Sequence, residues 1–341
     1  MKARLSTKVA VLVSILVLLL NCTGPISAAA TTEQESVCLK VALLPFLSFA
    51  PFFIAIEEGY FAEQGLEIEF IRFKTDGEHL VPLSQGMIDV GGGAVTAGFL
   101  NALARGMNLQ IVAGKGHVRK GERYTGMLVR KDLWNKGELT TLSDLKGRKI
   151  ALGMVGGSSQ YNLELALGST GLKFEDVEIV YMGFPDMIEA LKRGAIDAAS
   201  MGEPLLTKAE ELGAAVGFKP YQEVLPARQV GVIYFGLNLL EKRPDIGKKF
   251  MLAYLKAVRI YNQGKTPRNL EIIEKYTKID KEILKKCVWP SLNSNGHVLM
   301  DHILDLQDWL YDNGFVDTKV KSEEMIDTSF IEWANEELSG E

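Results

Sequence analysis

Cysteine is scarce in this chain. Three occur in 341 residues, at Cys22, Cys38 and Cys287, too far apart for a paired C-x-x-C metal site or a dense disulfide scaffold. Four histidines are present, none in an H-E-x-x-H arrangement, and no G-x-S-x-G occurs, so the common metal and nucleophile signatures are missing. No metal or cofactor is expected, and the chain is read as a non-enzyme. There is no basic stripe of the kind a nucleic-acid partner demands. After residue 20 no apolar run is long enough to span a bilayer.

What is present begins at the N-terminus. Lys2, Arg4 and Lys8 precede an apolar run over 9–20 broken only by Ser14, followed by Gly24, Pro25 and Ala28-Ala29-Ala30. That order is a secretory signal peptide over 1–30, with an A-x-A cleavage site. Leu19-Leu20-Asn21-Cys22 is similar to a bacterial lipobox, although Asn21 replaces the usual small residue; a lipid on Cys22 is the alternative. The first thirty residues hold no acid, so the remainder carries 35 basic against 43 acidic residues. The protein is therefore expected outside the cytoplasm, periplasmic or anchored. There Cys38 and Cys287 either pair in an oxidising compartment or stand as two free thiols.

The chain then repeats itself. Val41-Ala42-Leu43-Leu44 and Ile150-Ala151-Leu152-Gly153 are short apolar strand patterns 109 residues apart. Ile68-Glu69-Phe70-Ile71 and Val177-Glu178-Ile179-Val180 alternate alike at the same offset. Leu83-x-x-Gly86-x-Ile88-Asp89-Val90 matches Leu191-x-x-Gly194-x-Ile196-Asp197-Ala198 at 108. Helical patterns over 51–58, 79–85, 159–167 and 186–192 lie between them, so each half reads β-α-β-α-β and implies a parallel sheet covered on both faces. Gly86 and Gly194 fall where a helix ends in a left-handed residue. Asp89 and Asp197 are read as caps of local backbone.

Two strand-like segments, 124–129 and 231–235, read as crossings between the halves. The expected division is lobe 1 over 38–125 and 232–341, including the C-terminal helices, and lobe 2 over 126–231, with hinge closure between them. The charged, helix-patterned tail after residue 243 is expected to pack onto one lobe. In open parallel sheets a ligand sits beyond the carboxyl ends of the strands. Six loops, 45–51, 74–79, 91–96, 154–161, 182–186 and 200–204, should then face one cleft. They contribute the candidate ligand contacts Ser48, Phe49, Asp76, His79, Gly93, Ala94, Thr96, Ser158, Ser159, Tyr161, Phe184 and Glu203. Ser158 and Ser159 open a helix whose N-terminus favours an anion; they serve either the ligand or the helix's own cap. Lys115, His117, Arg119 and Lys120 either attract an anion or form a solvated face.

At Pro51-Phe52-Phe53-Ile54-Ala55, Glu58-Gly59-Tyr60-Phe61, Gly65-Leu66-Glu67-Ile68, Gly86-Met87-Ile88-Asp89-Val90, Leu142-Ser143-Asp144-Leu145-Lys146-Gly147-Arg148-Lys149-Ile150, Gly194-Ala195-Ile196-Asp197-Ala198 and Glu203-Pro204, the chain resembles the solute-binding proteins for nitrate, sulfonates, taurine and thiamine pyrimidine precursors. The resemblance implies an α/β type II periplasmic-binding-protein fold. It also implies an ABC permease and its ATPase as partners and a small-molecule ligand held by jaw-like closure; a monomer is expected. The membrane would be met only through the permease or a lipid on Cys22. The ligand stays open: the helix start at Ser158 favours a sulfonate, nitrate or carboxylate, while Glu203 and Asp76 favour hydrogen-bond donors such as an aminopyrimidine. A ligand-sensing subunit for a membrane receptor and a biosynthetic enzyme on the same fold are the rival readings.

Overall fold

The computed structural model describes residues 36–340; the signal-peptide and Cys22 readings lie outside them. Two five-stranded sheets organise the chain. The first contains β1 (Val37–Leu43), β2 (Leu66–Arg72), β3 (Val90–Gly93), β4 (Leu109–Gly114) and β12 (Val232–Gly236), in the order β2-β1-β3-β12-β4. The second contains β6 (Thr125–Arg130), β7 (Lys149–Leu152), β8 (Glu178–Tyr181), β9 (Ala198–Gly202) and β10 (Ala215–Gly217), in the order β10-β6-β9-β7-β8.

The internal repeat survives as strand register. Val41 pairs with Phe70 and Val90, and Ile150 with Ile179 and Ala198. Each partner thus recurs 108 or 109 residues later. The symmetry extends further than the sequence patterns reached. Each sheet inserts one antiparallel strand next to its outermost strand, β12 in the first and β6 in the second. The sheets are therefore mixed rather than purely parallel.

Periodicity explains which residues are inside. Along β12, Ile233 and Phe235 join the core on one face while Val232 and Tyr234 join the core on the other. Along β6, Met127 and Val129 face one way and Leu128 the other. Such two-sided burial demands helices on both faces. Helix α1 (Ala50–Glu57) carries Pro51 in its first turn, and Gly59 beyond it takes φ 78°. α2 (Leu80–Ser84) and α3 (Ala97–Ala104) follow in the first half, and α4 (Ser158–Gly168) and α5 (Phe184–Lys192) in the second. Gly86 and Gly194 adopt φ 71° and 69°, the left-handed ends expected of them. Asp89 accepts the Lys40 N–H at 2.8 Å and Asp197 the Lys149 N–H at 3.0 Å, so both carboxylates tie the third strand of a half to its first.

Two expectations need correction. The strands at 124–129 and 231–235 lie inside the sheets; the crossing itself is a short antiparallel ribbon of β5 (His117–Val118) and β11 (Arg228–Gln229). The tail covers the first sheet through α6 (Pro244–Tyr261) and α8 (Ser329–Gly340) on one face and α7 (Met300–Asp312) on the other, but it also reaches the second lobe. Trp309 on α7 donates its indole N–H to Glu164 on α4 at 3.1 Å, and Lys286 pairs with Glu211 at 2.8 Å. Cys38 is exposed and Cys287 buried, each a free thiol.

Candidate functional site

The parallel strands of both sheets end at one cavity of ≈ 70 Å³, about half the size of one that holds benzene. After β1 the chain supplies Ser48, after β2 Asp76, after β3 Ala94 and Thr96, and after β4 Lys115. The second sheet supplies Met154, Gly157, Ser158 and Ser159 after β7, Phe184 after β8, and Ser200 to Gly202 in β9. The jaws are shut. Ala97 N–H donates to Gly156 O at 2.9 Å, Leu47 N–H to Glu203 O at 3.0 Å, and Phe46 meets Phe184 edge-on at 4.9 Å.

Of the candidate contacts, Ser48, Asp76, Gly93, Ala94, Thr96, Ser158, Ser159 and Phe184 line this cavity. Phe49, His79, Tyr161 and Glu203 do not. Phe49 is fully buried beneath the Lys115 ammonium. His79 packs between Phe73 and Tyr234, and burial pushes it down to about 3. Tyr161 leans on Trp309. Glu203 spends its carboxylate on Thr207 N–H, the Thr207 hydroxyl and Val288 N–H, which leaves it a structural brace. Thr96 accepts Phe99 N–H and caps α3, whereas α4 starts at Gly157 with no side-chain cap.

The glycine run in β3 has a steric cause. A Cβ on Gly91 would lie 2.9 Å from the His79 ring, and one on Gly92 would lie 3.2 Å from Lys115 Cε and from Phe49. The strand is bare so that these side chains can lie across it.

Lys115, open in sequence between attracting an anion and a solvated face, is buried, and Arg228 is a second buried cation that no motif marked. Lys115 is 1% exposed; its ammonium donates to Ser48 Oγ at 2.7 Å and sits 3.7 Å above the Phe49 ring. Burial drives it down to about 7 against the pull of Asp76. Arg228, also 1% exposed, donates to Thr125 O and Oγ1 and to Pro226 O, and burial lowers it to about 10. Lys115 follows β4 as the other contacts follow their strands, so the strand-end rule applied to a fourth strand finds it. Arg228 had no such signal. Asp76 accepts Ala94 N–H at 2.9 Å and is raised by burial.

The Trp309–Glu164 bond joins the tail of one lobe to the helix that opens the other, and it should favour the closed form. Glu164→Ala is expected to enlarge the radius of gyration of the ligand-free protein in solution scattering, through a two- to tenfold loss of closed population for one net hydrogen bond. An unaltered scattering curve would refute that latch.

A family model described as NMT1/THI5 like matches residues 47–263. A protein of Bacillus subtilis (strain 168), provisionally named an aliphatic sulfonates-binding protein, is 25% identical over 340 residues, covering 96% of this chain and 97% of that one. Among solved structures, the alkanesulfonate-binding protein SsuA from Xanthomonas axonopodis pv. citri, bound to MOPS, superposes with a TM-score of 0.70 at 18% identity, covering 86% of this chain and 99% of that one. The periplasmic nitrate-binding protein NrtA from Synechocystis PCC 6803 gives 0.71 at 14%, covering 90% of each. The two-sheet architecture is thus the periplasmic-binding-protein fold, and the chain belongs to the NMT1/THI5-like family.

Proposed function

We propose that the protein is the extracytoplasmic solute-binding component of an ABC importer, capturing a small polar or anionic organic molecule between its lobes and presenting it to a permease. The observation that carries this reading is the single cavity at the mouths of both sheets. Loops from each half of the repeat enclose it, and the short β5–β11 ribbon and the tail join the halves beside it. A chamber built that way opens and closes by rotation about the ribbon. In this reading 38–125 with 232–341 and 126–231 are the moving bodies, the first thirty residues direct export, and the eight lining residues named above contact the solute. The named relatives are transport binding proteins, which supports binding rather than turnover.

A thermal-shift screen tests the proposal. Alkanesulfonates, nitrate, carboxylates and pyrimidines are added to the purified protein. A tight ligand at about 100-fold excess over its Kd should add about 2.7 kcal/mol of stability. The compound should be recovered unchanged. Chemical conversion of it would replace transport with catalysis, and no stabilisation by any compound would remove the binding role.

A further inference from the structure

The cavity carries a charge imbalance that no described residue corrects. Half-buried guanidiniums elsewhere find carboxylates: Arg123 meets Glu210 at 2.6 Å and Arg130 meets Asp132 at 2.7 Å. Lys115 and Arg228 are far more deeply buried, yet among the described residues neither has a carboxylate oxygen in ion-pair range. Among the described residues Arg228 Nε is sealed from solvent with no hydrogen-bond partner, and the Lys115 ammonium makes one hydrogen bond. Unpaired buried charge is costly, and both groups line the same chamber.

Asp76 supplies the third charge. Its Oδ1 is taken by Ala94 N–H; Oδ2 has no hydrogen-bond partner among the described residues. Two cations and one carboxylate leave one positive charge over. A ligand with one negative charge balances it; a ligand that brings its own ammonium does not.

We propose, building on the solute-binding reading above, that the solute is a small monoanion bearing a neutral O–H or N–H donor, its charge held between Lys115 and Arg228 and its donor accepted by Asp76. The two cations lie at the inter-lobe crossing, since Arg228 belongs to β11 and Lys115 stands two residues before β5. Their existing bonds reach opposite ways: Lys115 to Ser48 after β1, Arg228 to Thr125 at the start of β6. An anion shared by both therefore ties the elements of the first sheet to those of the second. Phe46, Met154, Phe184 and Met201 form the apolar walls around the remaining few atoms of the solute.

Calorimetric titration with matched probes decides the matter. The pairs are 2-hydroxyethanesulfonate against ethanesulfonate and glycolate against acetate, with a neutral aminopyrimidine beside them. The hydroxylated anion of a pair should bind roughly tenfold tighter than its partner. Lys115→Met and Arg228→Met should each weaken it by roughly 30-fold or more. Asp76→Asn should erase the preference within a pair while anion binding persists. A measurement without ligand guards against misfolding. Because Lys115→Met removes an uncompensated charge, it should melt at or above the wild-type temperature, and a marked fall would overturn the premise that this cation is unpaired. Tight binding of the neutral pyrimidine with silence from every anion at millimolar concentration defeats the monoanion class and leaves solute binding standing. Silence from all probes, with the fold intact, defeats both.

Discussion

Asp89→Ala is expected to destabilise the protein by about 3 kcal/mol, about twice the cost of Asp197→Ala. The two aspartates occupy equivalent places in the repeat, so position in the fold cannot separate them; their partners can. Asp89 accepts Lys40 N–H at 2.8 Å, Asn238 Nδ2 at 2.9 Å and Arg243 Nη2 at 3.0 Å, with a side chain 8% exposed. Asp197 accepts Lys149 N–H at 3.0 Å and Arg130 Nη1 at 3.3 Å, with 21% exposure. Hydrogen bonds to an ionised group are worth about 1.5–3 kcal/mol each when buried and lose most of that when water competes. Removing Asp89 also strands the Lys40 amide in the middle of β1. Urea midpoints of the two variants supply the measurement. Equal shifts would mean that the additional Asn238 and Arg243 contacts contribute nothing.

Affinity for the anionic solute should fall as pH rises above about 7, by up to roughly tenfold per pH unit. The sign follows from Lys115. Burial lowers its ammonium to about 7 in the ligand-free protein, so above that value an anion must first restore the proton. His79 is held near 3 and stays neutral, Tyr124 is raised by burial, and Asp76 opposes the lowering of Lys115. Arg228, at about 10, remains charged. Ligand-free stability should move the opposite way. Between about 7 and 10.5 the unfolded chain keeps the Lys115 proton that the folded chain releases, so the contribution of this residue to stability rises with pH. Lys115→Arg should flatten the binding profile while retaining affinity; a profile as steep as that of the wild type would assign the titration to another group.

Much of the architecture was legible before any coordinates. The strand pairs at offsets of 108 and 109, the helix ends at Gly86 and Gly194, and the structural role of Asp89 and Asp197 all depend on neighbours within a single β-α-β unit. The candidate contacts that reach the cavity, from Ser48 to Phe184, were found because one topological rule assigns function to strand ends. Those that lie outside it are held by other partners. Glu203 finds its donors four residues on and at Val288. Tyr161 is drawn to Trp309, a tail residue whose placement no short-range pattern encodes. The mixed character of the sheets was hidden because β12 joins the first sheet only after the chain returns through the ribbon, and β6 lies outside the β-α-β repeat. Arg228 was hidden for the same reason: its burial is created by the return of the chain, not by the residues around it.

The location of the two cations bears on the order of events during capture. A pivot is where two swinging arms move least, so charges mounted beside it keep nearly the same spacing whether the gap is wide or narrow. Under the proposed hinge the guest would dock on a finished half-site while the entrance gapes, and the outer loops would then fold over it. Ionic strength should weigh on the rate of arrival, which long-range attraction governs, and hardly at all on departure, which waits for the arms to part.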